Sequence, residues 1–189
     1  MTSLKRTKLR QCTNCLCVIN GVWEWVEECA REAADEEPAM RGILDDVCLS
    51  RNSLATSISA RLARKLSRRD MPRELIEPLI REALADEESI LSQIAHDLIA
   101  IVDRDPACRT PLEPLLFYKG FHAITTYRIS HWLWKHGRTI MALQFQSLAS
   151  EVFAVDIHPA AVIGCGILLD HATSFVVGET AIIRDNVSI

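Results

Sequence analysis

The run VDIHPAAVIGCGILLDHATSFVVGETAIIRDNVSI, Val155–Ile189, decides how the last part of this chain folds. Every sixth residue from Ile157 gives Ile157, Ile163, Leu169, Phe175, Ala181 and Val187, all apolar, separated mostly by small, polar or glycine residues. A helix needs apolar positions at three- and four-residue steps, and a half-buried strand needs strict alternation. A six-residue period satisfies neither. It fits a parallel β-helix, in which each hexad forms one flat side and its apolar residue points into a stacked interior. Three such sides make a coil of about 18 residues.

Upstream the pattern is helical. Trp23, Val26, Ala30 and Ala33 form one apolar face, and Pro38 opens a helix carrying Ile43, Leu44, Val47 and Cys48. Asn52 or Ser53 is the N-cap of a helix with Leu54, Ile58, Leu62 and Leu66 inward. The Arg64, Lys65, Arg68 and Arg69 cluster reads as its solvated C-terminal end. Pro72 starts a helix presenting Leu75, Ile76, Leu79, Ile80 and Leu84, with Pro78 expected to bend or break it. Asp86 begins another, with Ile90, Leu91, Ile94, Leu98 and Ile101 inward and His96 and Asp97 on its flank. Asp105-Pro106 ends that helix, and Pro111 and Pro114 are expected to keep the next stretch irregular. Leu115–Trp134 is an aromatic helix suited to packing and subunit contact, His136-Gly137 is its C-cap, and Thr139–Ser150 is one more helix. The expected organisation is a tail over 1–20, a helical domain over 21–153 and β-helical coils over 154–189, an α+β chain with its two kinds of structure in sequence.

Composition narrows the function classes. A net charge of −4 with 24% charged residues supplies no basic face for nucleic acid. No apolar run reaches the roughly 20 residues of a membrane span. Seven cysteines at irregular spacing argue against a disulfide framework and for a reducing compartment, hence a cytoplasmic location. Lys5, Arg6, Lys8 and Arg10 have no acidic neighbour before Asn20, which fits a basic disordered tail or a weak organelle-targeting signal. Cys12, Cys15 and Cys17 lack a second ligand pair, so no metal site is expected.

Five runs carry a family resemblance: Asp105-Pro106-Ala107, PLLFYKGFHA from Pro114, YRISHWLW from Tyr127, VDIHPA from Val155 and LDHAT from Leu169. Together they resemble the serine O-acetyltransferases, strongly from about Leu98 onward and only in pattern before that. The resemblance implies a left-handed β-helix, a trimeric or hexameric assembly, and transfer of an acetyl group from acetyl-CoA to L-serine. The product, O-acetylserine, feeds cysteine synthesis. No cofactor is bound, acetyl-CoA being a co-substrate. By the same resemblance His171 takes the place of the catalytic base, Asp156 that of its carboxylate partner, and Asp105 and Asp170 those of the groups contacting the substrate ammonium. His158, before a proline, reads as structural, and Glu179 as the support of a second histidine in relatives.

A histidine base suits this chemistry because a serine hydroxyl needs its proton removed as it attacks the thioester, and imidazole titrates near neutral pH. Asp156 and His171 are 15 residues apart, compatible with adjacent layers of a coil. Asp156 and Asp170 also suit coil corners, where Asp bonds backbone amides, and Asp105 suits a helix stop. Family members continue past the position of Ile189, into most of the acetyl-CoA groove, a second active-site histidine, a carboxylate-binding arginine and a tail that docks with a sulfhydrylase. The isolated chain is therefore expected to be inactive or nearly so. Two alternatives remain: a non-catalytic oligomerisation or regulatory fragment that pairs with full-length enzyme, and another hexapeptide acyltransferase.

Overall fold

The computed structural model describes residues 14–189, so the basic run from Lys5 to Arg10 and Cys12 lie outside the described residues. The chain runs through α1 (Cys15–Glu36), a 3-10 turn (Pro38–Met40), α2 (Arg41–Leu44), a π turn (Asp45–Leu49), α3 (Leu54–Leu66), α4 (Arg73–Asp86), α5 (Glu88–Arg104), α6 (Leu112–Leu116), α7 (Lys119–Lys135) and α8 (Thr139–Phe153). Four short strands follow: β1 (Val155–Ile157), β2 (Val162–Ile163), β3 (Phe175–Val177) and β4 (Ile182–Ile183). None of the described helices is long and apolar enough to cross a membrane.

Several expectations shift. Helix α1 begins at Cys15, capped by the Asn14 side chain, and Val18 and Ile19 are buried, so residues 15–20 belong to the helical body and not to a tail. Its buried face runs through Val22, Trp25, Val26, Cys29, Ala30 and Ala34, with Trp23 and Ala33 only at its edge. Ser53 is the N-cap of α3, its hydroxyl accepting from the Thr56 amide at 3.3 Å. Pro78 leaves α4 unbroken. It is exposed, as is Glu74, so the carbonyl deprived of a partner faces water. Asp86 ends α4, and Glu87 caps α5. Pro111 and Pro114 sit at the start of α6, where amides have no helical partner, so the stretch is a short helix and not irregular.

Helix α7 is the axis of the molecule. Gly120 to Ser130 is buried without interruption, so this helix has no solvent stripe. Its buried threonine and serine hydroxyls find carbonyls close by: Thr125 and Thr126 donate to the Phe121 and His122 carbonyls one turn back, and Ser130 donates to the Ala142 carbonyl on α8. Its aromatics Phe121, Tyr127 and Trp132 fill this chain's own core. Gly137, at φ +73, turns the chain into α8 at no steric cost. Ala154, at φ 56, ends α8 and delivers the chain to β1.

The strands form parallel ladders in an early wrap over a later one. Val155 pairs with Phe175 and Ile157 with Val177 in one ladder, and Val162 with Ile182 in a second. A bridge from Leu168 to Ser188 marks a third side. Each offset is 20 residues, against the expected 18, because the corner at 170–174 carries two extra residues. Odd-numbered residues still face inward, with Val155, Ile157, Ala161, Ile163, Ile167 and Leu169 all buried. The six-residue series, however, changes rows at the corner: Phe175 stacks on Val155, not on Ile157.

Asp97 corrects the sequence reading most. It is 1% exposed, in the core and not on a flank. Its carboxylate accepts from Arg128 Nε and Nη2 at 2.9 and 2.7 Å and from the Ile167 amide at 2.8 Å. Arg128 Nη2 also donates to the Gly164 carbonyl at 2.8 Å, so this buried pair ties α5 and α7 to the strand wrap. Burial pushes the Asp97 carboxyl up, and the Arg128 guanidinium and Ile167 amide counter it. Arg104 donates to the Gly166 carbonyl and the Asn186 side chain, and Tyr127 to the Ala161 carbonyl. The helical body and the wrap are thereby joined along successive corners.

Candidate active site

Gly120, in the first turn of α7, is where that junction is tightest. A Cβ there would lie 1.9 Å from the Leu169 carbonyl oxygen, so only glycine lets the helix seat against the strand wrap. This contact sets the C-terminal end of α5, the start of α7 and the 170–174 corner around one cavity. The cavity holds about 330 Å³ and is lined by Asp105, Tyr118, Lys119, Asp170 and His171, among others.

Three of the four residues singled out in the sequence meet here. Asp105 caps the end of α5, its Oδ1 accepting from the Ala107 amide at 2.8 Å; it is a helix stop and a cavity residue together. Asp170 Oδ1 accepts from the His171 amide at 2.9 Å, and the Asp170 amide donates to the Ile189 carbonyl at 2.8 Å. His171, Ala172 and Ser174 all have positive φ, at 50, 46 and 58. Such backbone in non-glycine residues costs on the order of 1–3 kcal/mol each and clusters at functional sites. The strained corner lifts the His171 side chain out of the wrap to 95% exposure, with Nε2 3.8 Å from Asp170 Oδ2.

Asp156 is elsewhere. It lies on the outer side of β1 and lines a separate cavity with Gln146, whose Nε2 donates to Asp156 Oδ1 at 2.6 Å. The expected pairing of Asp156 with His171 is thus not made within this chain. The register explains why: Asp156 stacks beneath Val176, beyond the corner that holds His171. His158 has a structural setting, its Nδ1 accepting from the Ala160 amide at 3.1 Å and its ring edge-on to Trp134. Glu179 is exposed and borders neither cavity. Cys15 and Cys17 are exposed on α1.

Sequence reasoning missed Lys119 and Tyr118. Lys119 lines the cavity, and its Nζ donates to Thr173 Oγ1, in the corner that carries His171, at 2.6 Å. Burial, then Cys108 and Asp105, push the Tyr118 phenol above its ordinary range, so it stays protonated. Both residues lie inside the quoted PLLFYKGFHA run, but a chain read in one dimension offers no sign that its Tyr-Lys pair borders the Asp-His corner.

The donor set can hold a small zwitterion's ammonium between carboxylates, with an imidazole beside it to take a proton. The family model described as serine acetyltransferase, N-terminal, matches residues 22–126. The serine acetyltransferase of Escherichia coli (strain K12) is 45% identical over 168 residues, covering 89% of this chain and 62% of its own length. Among solved structures, a serine acetyltransferase in complex with CoA superposes with TM-score 0.87 at 43% identity, covering 88% of this chain and 72% of its own. The soybean serine acetyltransferase complexed with serine does so with TM-score 0.87 at 45% identity, covering 89% and 69%. The chain thus spans about three-fifths of the length of the curated bacterial relative that it matches. The family model spans more than half of the chain and the backbone superposes on solved relatives over nearly nine-tenths of it, and on that ground the chain belongs to the serine acetyltransferase family.

Proposed function

We propose that this chain carries the acceptor half of a serine O-acetyltransferase site, the activity that makes O-acetylserine for cysteine synthesis. The convergence of Asp105, Asp170 and His171 on one cavity carries the reading. Asp105 and Asp170 hold the ammonium of L-serine. His171 Nε2 takes the proton of the serine hydroxyl as its oxygen attacks the thioester carbonyl of acetyl-CoA. The tetrahedral intermediate collapses with cleavage of the C–S bond, and the imidazolium returns the proton to the departing thiolate. Solved relatives with CoA and with serine support both substrates.

The stacked strands are the first layers of a left-handed parallel β-helix that assembles into trimers. Val162, Val176 and Ile182 are 53%, 71% and 65% exposed on its outer sides, an apolar surface suited to a second copy. Asp156 shares the outer side of Val176, so it reaches a histidine base across a contact between copies. That geometry also accounts for a His171 that is bare in the single chain.

The test is CoA release from acetyl-CoA with L-serine or homoserine as acceptor. It is run on this chain and on a fusion continuing past Ile189 with the remaining sequence of the E. coli relative. Transfer to L-serine in the fusion, reduced about 10²–10⁴-fold by His171→Ala, is the expected result. Transfer indifferent to His171→Ala, or a preference for homoserine, refutes the reading. The chain by itself is expected to show little turnover.

A further inference from the structure

Lys119 opens α7 at the rim of the cavity, and its ammonium reaches across to the corner that carries His171, meeting Thr173 Oγ1 at 2.6 Å. The backbone beneath Lys119 is closely seated, because the adjacent Gly120 packs against the Leu169 carbonyl with no room even for a Cβ. The corner is the opposite case. Three of its residues occupy left-handed backbone, and its His171 side chain is 95% exposed. With little packed against the imidazole, the direction of its ring follows the backbone of the corner. A bond from a fixed helix start to a strained, exposed corner therefore governs where the imidazole points.

We propose that Lys119, acting through Thr173, is a positioning residue that holds the 170–174 corner so that His171 faces the cavity. A lysine fits this place for a second reason. Asp105 and Asp170 bring two carboxylates to one small space, and a cation on the rim offsets their repulsion while no acceptor ammonium is there. Lys119→Met removes donor and charge, Lys119→Arg keeps both, and Thr173→Val and Thr173→Ser remove and keep the acceptor.

The kinetic part of the proposal rests on the acetyl-transfer reading; the structural part does not, so two readouts are needed. Amide hydrogen exchange over Leu169–Val177 is expected to rise about tenfold in Lys119→Met and Thr173→Val, with α5 unchanged and with normal exchange in Lys119→Arg and Thr173→Ser. In the fusion, kcat is expected to fall about 10- to 100-fold in the same two variants, with the KM for acetyl-CoA little changed. The double variant should be no slower than either single one, since both remove one shared interaction. Unchanged exchange in Lys119→Met overturns the proposal, as does a loosened corner with full kcat. If the unmutated fusion transfers no acetyl group, the acetyl-transfer reading fails by itself, and the exchange comparison still decides whether Lys119 holds the corner.

Discussion

Replacing Asp97 by Asn keeps the shape of the side chain and the acceptor for the Ile167 amide but removes the charge opposite Arg128. Both partners are nearly sealed, at 1% and 2% exposure, so the guanidinium that remains has no water to turn to. Removing one member of a buried pair costs about 3–5 kcal/mol, mostly from the uncompensated charge. The new amide also points its own N–H groups toward those of Arg128. Against a total stability of about 5–15 kcal/mol this is a large fraction. With a urea slope of about 2 kcal/mol/M, the unfolding midpoint should fall by about 1.5–2.5 M. Two controls sharpen the result. Arg68→Ala breaks the pair with Glu151, which is 39% and 62% exposed, and should cost about 0.2–1 kcal/mol. The double replacement Asp97→Leu, Arg128→Met removes the uncompensated charge but leaves the Ile167 amide and the Gly164 carbonyl without a partner, at about 1–3 kcal/mol each, so its midpoint should still lie well below that of the unmutated chain. A midpoint in Asp97→Asn that moves no further than in Arg68→Ala refutes the argument.

Three further outcomes are expected. Gly120→Ala forces the start of α7 away from the Leu169 carbonyl; backbone against backbone cannot relax cheaply, and a melting temperature lower by roughly 2–12 °C should be seen by calorimetry. His122 is sealed in the core, donating from Nε2 to the Leu115 carbonyl at 2.8 Å, and burial pushes its imidazole down to about 3 from 6.5. The unfolded chain therefore binds a proton between those values that the folded chain refuses. Stability should fall as pH drops below about 6.5, by about 2 kcal/mol between pH 7.5 and 5.0, and His122→Gln should show a loss smaller by that amount in urea titrations at the two pH values. Cys48 is fully buried and burial pushes its thiol up to about 12, so a thiol reagent should label exposed Cys15 and Cys17 at once and reach Cys48 only on unfolding, as peptide mapping of the labelled chain will show.

The helices were legible because their signals are local: Ser53 as a cap, the Leu54, Ile58, Leu62 and Leu66 face, and the stop at Asp105-Pro106 all depend on neighbours within one or two turns. Errors came where a partner far along the chain decides. Asp97 looks like a solvent residue until Arg128, 31 positions on, and Ile167, 70 positions on, are placed beside it. Val26 and Ala30 do lie on the buried face of α1, but Val22, Trp25 and Cys29 share it while Trp23 and Ala33 stay at its edge, and the face extends back to Val18 and Ile19 because α1 packs along its whole length. Of the candidate site, Asp105, Asp170 and His171 were readable from matched runs, whereas their meeting place depends on the close seat of Gly120.

The separation of Asp156 from that group follows from the register: a regular coil would already stack it on Ser174, and the two extra residues move its partner on to Val176. A strictly hexad coil of about 18 residues repeats without a break and gives each corner the same turn. Here the offset is 20, and the surplus sits at Asp170–Ser174. The inward rows survive the insertion because two is an even number and alternate residues keep their faces. The outward geometry does not survive it. The corner bulges, three residues take left-handed backbone, and His171 is carried clear of the wrap toward Asp105 on the helical body. Deleting two residues from this corner should leave the interior rows intact, restore a regular coil and withdraw His171 from the cavity. Stability would then rise while the reach of the base is lost. A regular repeat supplies the rigid frame, and the place where it is broken supplies the chemistry. A deletion variant of the fusion that keeps full acetyl transfer would show that the bulge is incidental.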